Sequence, residues 1–230
     1  DKSRTIHTYS KSFKNTKDIL QKLFPNGKIP ESDLSSLNNH CNQFIENLDS
    51  EHYPSKNKPY PLSYLLENGT ASLLYLICKI LKPEKVVETG VSYGRSSSYI
   101  LQALHENNFG TLYSIDYSLR PWESKQMLGS MIPDFLRDRW ELVYGIAHKK
   151  LKPLLDSLQQ IDIFIHDSAH TYNNMMFEYK TSWPYLKKGG LLLSDDLITA
   201  FHDFSIKKNI EPIIFSENSK DETLFGILQK

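Results

Sequence analysis

From Pro61 onward the chain alternates short apolar runs with longer segments of helical periodicity. Lys85–Glu88 (KVVE), Thr111–Ile115 (TLYSI), Trp140–Tyr144 (WELVY), Ile161–Ile165 (IDIFI) and Gly190–Leu193 (GLLL) read as strands. Between them Ser72–Leu81, Ser96–Glu106, His148–Leu158 and Tyr172–Leu186 read as helices, and Pro133–Asp138 as part of another. Short strands without polar alternation are buried on both faces, which requires a parallel sheet covered by helices on each side. Glu211–Ser216 (EPIIFS) and Thr223–Leu228 (TLFGIL) add two strand-like runs joined only by Glu217–Glu222. That connection is long enough for an antiparallel hairpin and too short for a parallel crossover. The expected fold is therefore α/β: a doubly wound, mostly parallel seven-stranded sheet ending in a C-terminal antiparallel hairpin.

Residues 1–60 are more polar and uneven, with a turn at Pro25-Asn26-Gly27 and a linker marked by Pro54, Pro59 and Pro61. Within them Ser32–Leu48 places Leu34, Leu37, Cys41, Phe44, Ile45 and Leu48 at three-and-four spacing, one amphipathic helix. This divides the chain into a helical N-terminal cap, 1–60, and a main domain, 61–230. A length of 230 residues suits one large domain with an appendage.

Balanced charge, 27 basic against 27 acidic side chains, lacks the basic excess of proteins that neutralise a phosphate backbone, so no nucleic-acid partner is expected. Cys41 and Cys78 form no metal-binding or disulfide pattern, which fits a reducing, cytoplasmic setting. The longest apolar run, Ala71–Leu81, is about half of the roughly 20 residues a membrane span needs, so no membrane partner is expected. The start of the chain (Asp1, Lys2, Arg4, His7, Lys11) lacks the apolar stretch of a signal peptide. A homodimer is left open.

Glu88-Thr89-Gly90-Val91-Ser92-Tyr93-Gly94-Arg95-Ser96 follows the first buried strand and opens a helix. Glycines let backbone approach a ligand closely, and free N–H groups at a helix start favour a carboxylate or phosphate. The two glycines are separated by three residues, which departs from the GxGxxG of dinucleotide binders and weakens an NAD-dependent oxidoreductase reading. Asp116 ends the second strand, where nucleotide-binding α/β proteins place an acid that accepts ribose hydroxyls. The alternative is an ordinary strand-to-helix turn with a capping serine.

The ExGxxxGxS loop at Glu88, Gly90, Gly94 and Ser96 resembles that of class I S-adenosylmethionine-dependent methyltransferases of the catechol O-methyltransferase type, a Rossmann-like fold that also carries a terminal hairpin. The resemblance implies that Glu88, Gly90, Ser92, Gly94 and Ser96 bind the methionine end of S-adenosylmethionine and Asp116 its ribose. Gly145-Ile146-Ala147 would pass the adenine, with Ala147 at the contact. No polar side chain is available there, so that contact would be backbone or apolar.

Ile161–Ile165 runs into His166-Asp167-Ser168-Ala169-His170-Thr171-Tyr172, and Gly190–Leu193 into Ser194-Asp195-Asp196. Ligands gather outside the carboxyl ends of parallel strands, and if these strands are neighbours, Asp167, Asp195 and Asp196 converge. Three carboxylates without an adjacent lysine or arginine repel unless protons or a cation intervene, and hard oxygen ligands suggest Mg²⁺ or another divalent ion. The alternative is that the acids merely cap helices, Asp196 that beginning near Leu197.

DSAHTY, a helix, and then LKKGGLLLSDD resembles the metal-dependent O-methyltransferase branch, which includes catechol-type and macrolide sugar O-methyltransferases. By that resemblance Asp167, Asp195 and Asp196 hold magnesium, and Asp167 also borders the cofactor. His170 would be the general base, as in the macrolide sugar branch. His166 is expected to be structural. Ser168 departs from the glycine usual after the first metal aspartate. The implied activity is metal-assisted methyl transfer to a hydroxyl of a small molecule such as a sugar, polyketide or catechol-like diol. A non-catalytic binding module of the same fold is the rival.

Overall fold

A computed structural model describes residues 7–10, 12–117, 125–217 and 223–230. Its central sheet has seven strands: β1 (Lys85–Thr89), β2 (Thr111–Asp116), β3 (Trp140–Tyr144), β4 (Ile161–His166), β5 (Leu186–Ser194), β6 (Ile213–Ser216) and β7 (Leu224–Gln229). They lie in the order β3-β2-β1-β4-β5-β7-β6. Pairs from β3 through β5 are parallel, and β7 runs antiparallel to both β5 and β6. The expected sheet and terminal hairpin are both present, with β7 inserted between β5 and β6. The expected link between the hairpin strands, at 218–222, lies outside the described residues.

Period-two alternation sorts the strand side chains onto two cores. One face carries Val86, Leu112, Ile163, Ile165, Leu191 and Leu193 against helices α1 (Thr16–Leu23), α2 (Ser35–Asp49), α3 (Asn68–Leu81) and α4 (Arg95–Asn107). The other carries Val87, Phe164, Leu192, Ile214 and Leu228 against α5 (Ala147–Leu158), α6 (Tyr172–Ser182) and α7 (Thr199–Lys208). The order reverses at β1, whose two neighbours are β2 and β4, so the strand ends of β1 and β4 form a topological switch point.

Four local expectations shift. Pro133–Asp138 belongs to a 3₁₀ segment, Asp134–Arg139, because β3 begins at Trp140 and leaves no room for an α-helix. The helix expected to reach Leu186 ends at Ser182: Pro184 cannot donate a further helical bond, and a 3₁₀ turn, Trp183–Tyr185, leads straight into β5. β5 therefore starts at Leu186, and its pairing jumps from Ile161↔Leu186 to Ile163↔Leu191, a bulge that takes up Lys187–Gly190 with Gly189 at φ +82°. The helix placed near Leu197 begins at Thr199 as α7, and α1 is an additional helix. In α1 Asn15 caps the start by accepting from Asp18 N at 2.9 Å.

The segment before Pro61 packs into the main core. Ile19, Leu20, Leu23, Leu37, Cys41 and Leu48 are buried in the same apolar cluster as the sheet. Phe13 pairs with Phe215 of β6: its N–H donates to Ile214 O at 2.7 Å, and its carbonyl accepts from Ser216 N at 2.9 Å. That covers part of an edge strand that would otherwise expose unpaired backbone. Among the described residues no helix is long and apolar enough to cross a membrane.

Leu20 is 1% exposed, so Leu20→Ala should destabilise the whole domain by about 2–5 kcal/mol. Chemical denaturation of full-length protein should show one transition at lower denaturant. An unshifted main transition would mean that the N-terminal segment folds apart from the sheet.

Candidate active site at the strand ends

The loop after β1 is shaped by what lies under it. Gly90 has φ +88°, and a Cβ there would stand 1.8 Å from the Asp167 carbonyl oxygen, so only glycine lets the β1 and β4 ends approach this closely. Its N–H donates to Ile115 O at 3.0 Å, tying the loop to β2. Gly94, φ +96°, is the residue before α4 and packs on Gly129 and Ile132. No side chain caps the start of α4, so the dipole and N–H groups there remain available to an anionic group. Ser92 sits at φ +50° with its buried hydroxyl lacking a partner among the described residues.

Asp116, half-buried at the end of β2, accepts from Val91 N at 2.8 Å and Ser92 N at 3.0 Å on Oδ2, and from Tyr117 N at 2.6 Å on Oδ1. Burial raises its pKa, and the three N–H bonds oppose that rise. Oδ1, with one N–H bond, retains lone-pair capacity for a hydroxyl donor. Gly145 N donates to Asp116 O at 2.9 Å, which brings the turn after β3 alongside. There α5 starts at Ala147, and Ile146 before it offers no side-chain cap.

Glu88 and Ser96, two of the residues expected at the cofactor, are buried. Glu88 is fully buried and accepts from Ser96 Oγ at 3.2 Å, Ser114 Oγ at 2.6 Å and Ser97 Oγ. The alternation along β1 turns this side chain under the loop, where it joins the first turn of α4 to β2. Glu88 and Ser96 thus support the loop from beneath. Burial pushes the Glu88 carboxyl up to about 7 against those serine bonds.

β4 and β5 are parallel neighbours with His166 opposite Ser194, so Asp167 and Asp195 leave adjacent strand ends. Asp167 N donates to Thr89 O at 2.9 Å and Asp195 N to His166 O at 3.0 Å. Asp167, His170 and Asp195 each present a ligand atom within 4.8 Å of the others. Burial and then the charges of Asp195 and Asp196 raise the Asp167 pKa well above the carboxylate range. Burial and Asp196 push Asp195 up to about 7. The structure thus crowds carboxyl groups together, and among the described residues His170 is the cation that acts against the rise at Asp195.

Asp196 joins that group through His170. At φ +45°, it meets His170 Nδ1 through Oδ2 at 3.1 Å, and this bond leads the effects that lower its pKa. It caps no helix, since the residue before α7 is Ile198. His170 Nε2 lies 3.7 Å from Asp167 Oδ1 and is buried without a hydrogen-bond partner among the described residues. Burial works against the charged form of His170, while the Asp196 bond and the charges of Asp196, Asp195 and Glu178 outweigh it, leaving its pKa raised. Thr171, and not His170, caps α6, through Asn174 N at 3.4 Å.

Sequence reasoning missed Glu178. This residue of α6 is fully buried against His166 Nδ1 at 2.6 Å. Ser168, which replaces the usual glycine, donates to the same carboxylate at 2.8 Å. The one available signal was a glutamate inside an otherwise core-facing stretch, Met175 to Tyr179.

Residues 87–197 match the family described as a methyltransferase domain. This part of the chain is a methyltransferase domain. The whole chain has the class I S-adenosylmethionine-dependent methyltransferase fold. It is similar to an O-methyltransferase from Bacillus cereus solved with S-adenosylhomocysteine, with TM-score 0.62 and 12% identity, covering 93% of this chain and 96% of that one. It is also similar to the O-methyltransferase TomG from Streptomyces achromogenes solved with S-adenosylmethionine, with TM-score 0.62, 15% identity and coverages of 94% and 96%. A third is the Podospora anserina methyltransferase PaMTH1 bound to S-adenosylhomocysteine, with TM-score 0.60, 16% identity and coverages of 98% and 100%. No curated protein matches the sequence. The methyltransferase domain spans the glycine loop, Asp116, Ala147, Asp167, His170, Asp195 and Asp196 together.

Within this methyltransferase domain Glu88 predicts a pH effect. Its folded carboxyl holds a proton up to about 7, whereas the unfolded chain releases it near 4.5. The folded state binds more protons between those values, so the stability due to Glu88 is full below 4.5 and is lost as pH rises to about 7. Denaturation in EDTA should show Glu88→Gln gaining on the unaltered protein by on the order of 3 kcal/mol across that window. A constant difference between the two would show that Glu88 has an ordinary pKa.

Proposed function

We propose that the protein is an S-adenosylmethionine-dependent O-methyltransferase that uses a divalent cation and acts on a hydroxylated small molecule. The observation that carries this reading is the grouping of Asp167, His170 and Asp195 within 4.8 Å at the strand ends of the methyltransferase domain. Two acids with raised pKa values supply the hard oxygen donors that suit Mg²⁺ or Mn²⁺, beside a buried histidine nitrogen without a hydrogen-bond partner among the described residues. Asp167 and Asp195 would hold the ion. Asp196 is the third acid expected to hold it, and its bond to His170 favours a role in orienting that ring. When bound there, a divalent cation acidifies a coordinated hydroxyl.

The remaining work falls to this chain's own side chains. Asp196 accepts the Nδ1 proton of His170, which leaves the Nε2 lone pair directed to take a proton from the substrate hydroxyl. A half-buried base held by a carboxylate is oriented before substrate arrives, and alignment is most of what transfer from a sulfonium demands. For the cofactor, the backbone of Gly90–Gly94 and the open start of α4 suit the methionine carboxylate, with the Ser92 hydroxyl unsatisfied beside them. Asp116 retains acceptor capacity for ribose hydroxyls, and the Ile146–Ala147 turn offers adenine an apolar edge. Pairing of the two site acids favours vicinal oxygens, as in a sugar diol, a catechol or a hydroxy acid.

His170→Ala should lower methyl transfer to such diols by about 10²–10⁴-fold, with S-adenosylhomocysteine affinity by calorimetry unchanged. Equal turnover would remove His170 as the base. Excess EDTA should abolish activity, Mg²⁺ should restore it, and Asp195→Asn should blunt that restoration. Full activity in EDTA would end the metal reading while leaving methyl transfer intact.

A further inference from the structure

Asp167 has little of its own to hold it. Its backbone N–H reaches Thr89 O, and its side chain faces other acids. The residues on either side of it, however, both bind one carboxylate. Glu178 Oε2 accepts from His166 Nδ1 at 2.6 Å and Thr89 Oγ1 at 2.5 Å, and Oε1 accepts from Ser168 Oγ at 2.8 Å and Asn174 Nδ2 at 3.2 Å. These donors come from the end of β1, the end of β4, the loop after it and the first turns of α6. Glu178 is 0% exposed, in a helix whose neighbouring inward positions are Met175, Tyr179 and Ser182. An isolated carboxylate in such a core is costly to bury unless donors meet it. Here all four donors bracket the turn that carries Asp167.

Resting on the metal-assisted reading above, we propose that Glu178 is a positioning residue: through Thr89, His166 and Ser168 it holds Asp167 where it meets Asp195 and His170. His166 belongs to the same device. Its Nδ1 is bound to Glu178, and its ring stands edge-to-face with His170 at 5.4 Å, so fixing one imidazole limits the swing of the other. Ser168 gains a reason for replacing glycine, since only a hydroxyl can serve both Glu178 and, at 3.0 Å, Asn174. None of these side chains needs to touch substrate or cation.

The test is Mn²⁺ titration of the full-length protein followed by electron paramagnetic resonance of the free ion, beside S-adenosylhomocysteine calorimetry and circular dichroism. Glu178→Gln should weaken Mn²⁺ binding by about 10–100-fold, with the fold and S-adenosylhomocysteine affinity retained. His166→Ala should weaken it too, whereas His166→Asn, whose amide can donate in place of Nδ1, should restore it. A general loss of structure would instead lower both affinities together. If Glu178→Gln does not fold, Ser168→Ala, which deletes one donor, should still weaken Mn²⁺ binding and spare S-adenosylhomocysteine. Unaltered Mn²⁺ affinity in the folded variants overturns the positioning role alone. Failure of the unaltered protein to bind Mn²⁺ overturns both this role and the metal reading.

Discussion

The close approach of β1 and β4 governs the rest of the molecule. Thr89 and His166 are register partners, Asp167 N bonds back to Thr89 O, and Gly90 has no Cβ to collide with the Asp167 carbonyl. At this junction the strand order reverses, so the connections to α4 and α6 diverge to opposite faces and leave space above the strand ends. The glycine loop and an acidic cluster can therefore share one edge of the sheet. Any bulk at Gly90 would separate the two halves of the site.

Buried acids then divide by how they are satisfied. Glu88 is met by serine hydroxyls, Glu178 by hydroxyl, imidazole and amide donors, and Asp116 by backbone N–H groups. Asp196 has His170. Burial and neighbouring charge act in the same direction on Asp167, and burial is the first effect on Asp195. Glu88 and Glu178 organise structure, and Asp116 and Asp196 are tied to backbone and to His170. Asp167 and Asp195 retain an electrostatic demand that a proton or a cation relieves.

Much of this was legible along the chain. Buried strands such as IDIFI show themselves by apolar runs, and β-sheet proteins place ligands at strand ends, so Asp116, Asp167 and Asp195 could be located without coordinates. The helical cap was legible at Leu37, Cys41 and Leu48, but not the α1 residues Ile19, Leu20 and Leu23, whose eight-residue helix is too short for its periodicity to stand out. The burial of Glu88 and Ser96 beneath the glycine loop was not legible, because a motif records identity and not side-chain direction. Glu88 alternates inward on β1, and it takes Ser96 with it.

The sequence by itself determined the α/β alternation, the terminal hairpin, the glycine loop and the acids after β4 and β5, because each is a local pattern of periodicity or spacing. Only the tertiary structure decided that Asp196 meets His170, that Glu178 gathers Thr89, His166 and Ser168, and that the N-terminal segment joins the core and covers part of β6. Those outcomes rest on hydrogen bonds and contacts between residues far apart in the chain. Such pairings are set by how the strands order and pack, which no local pattern encodes.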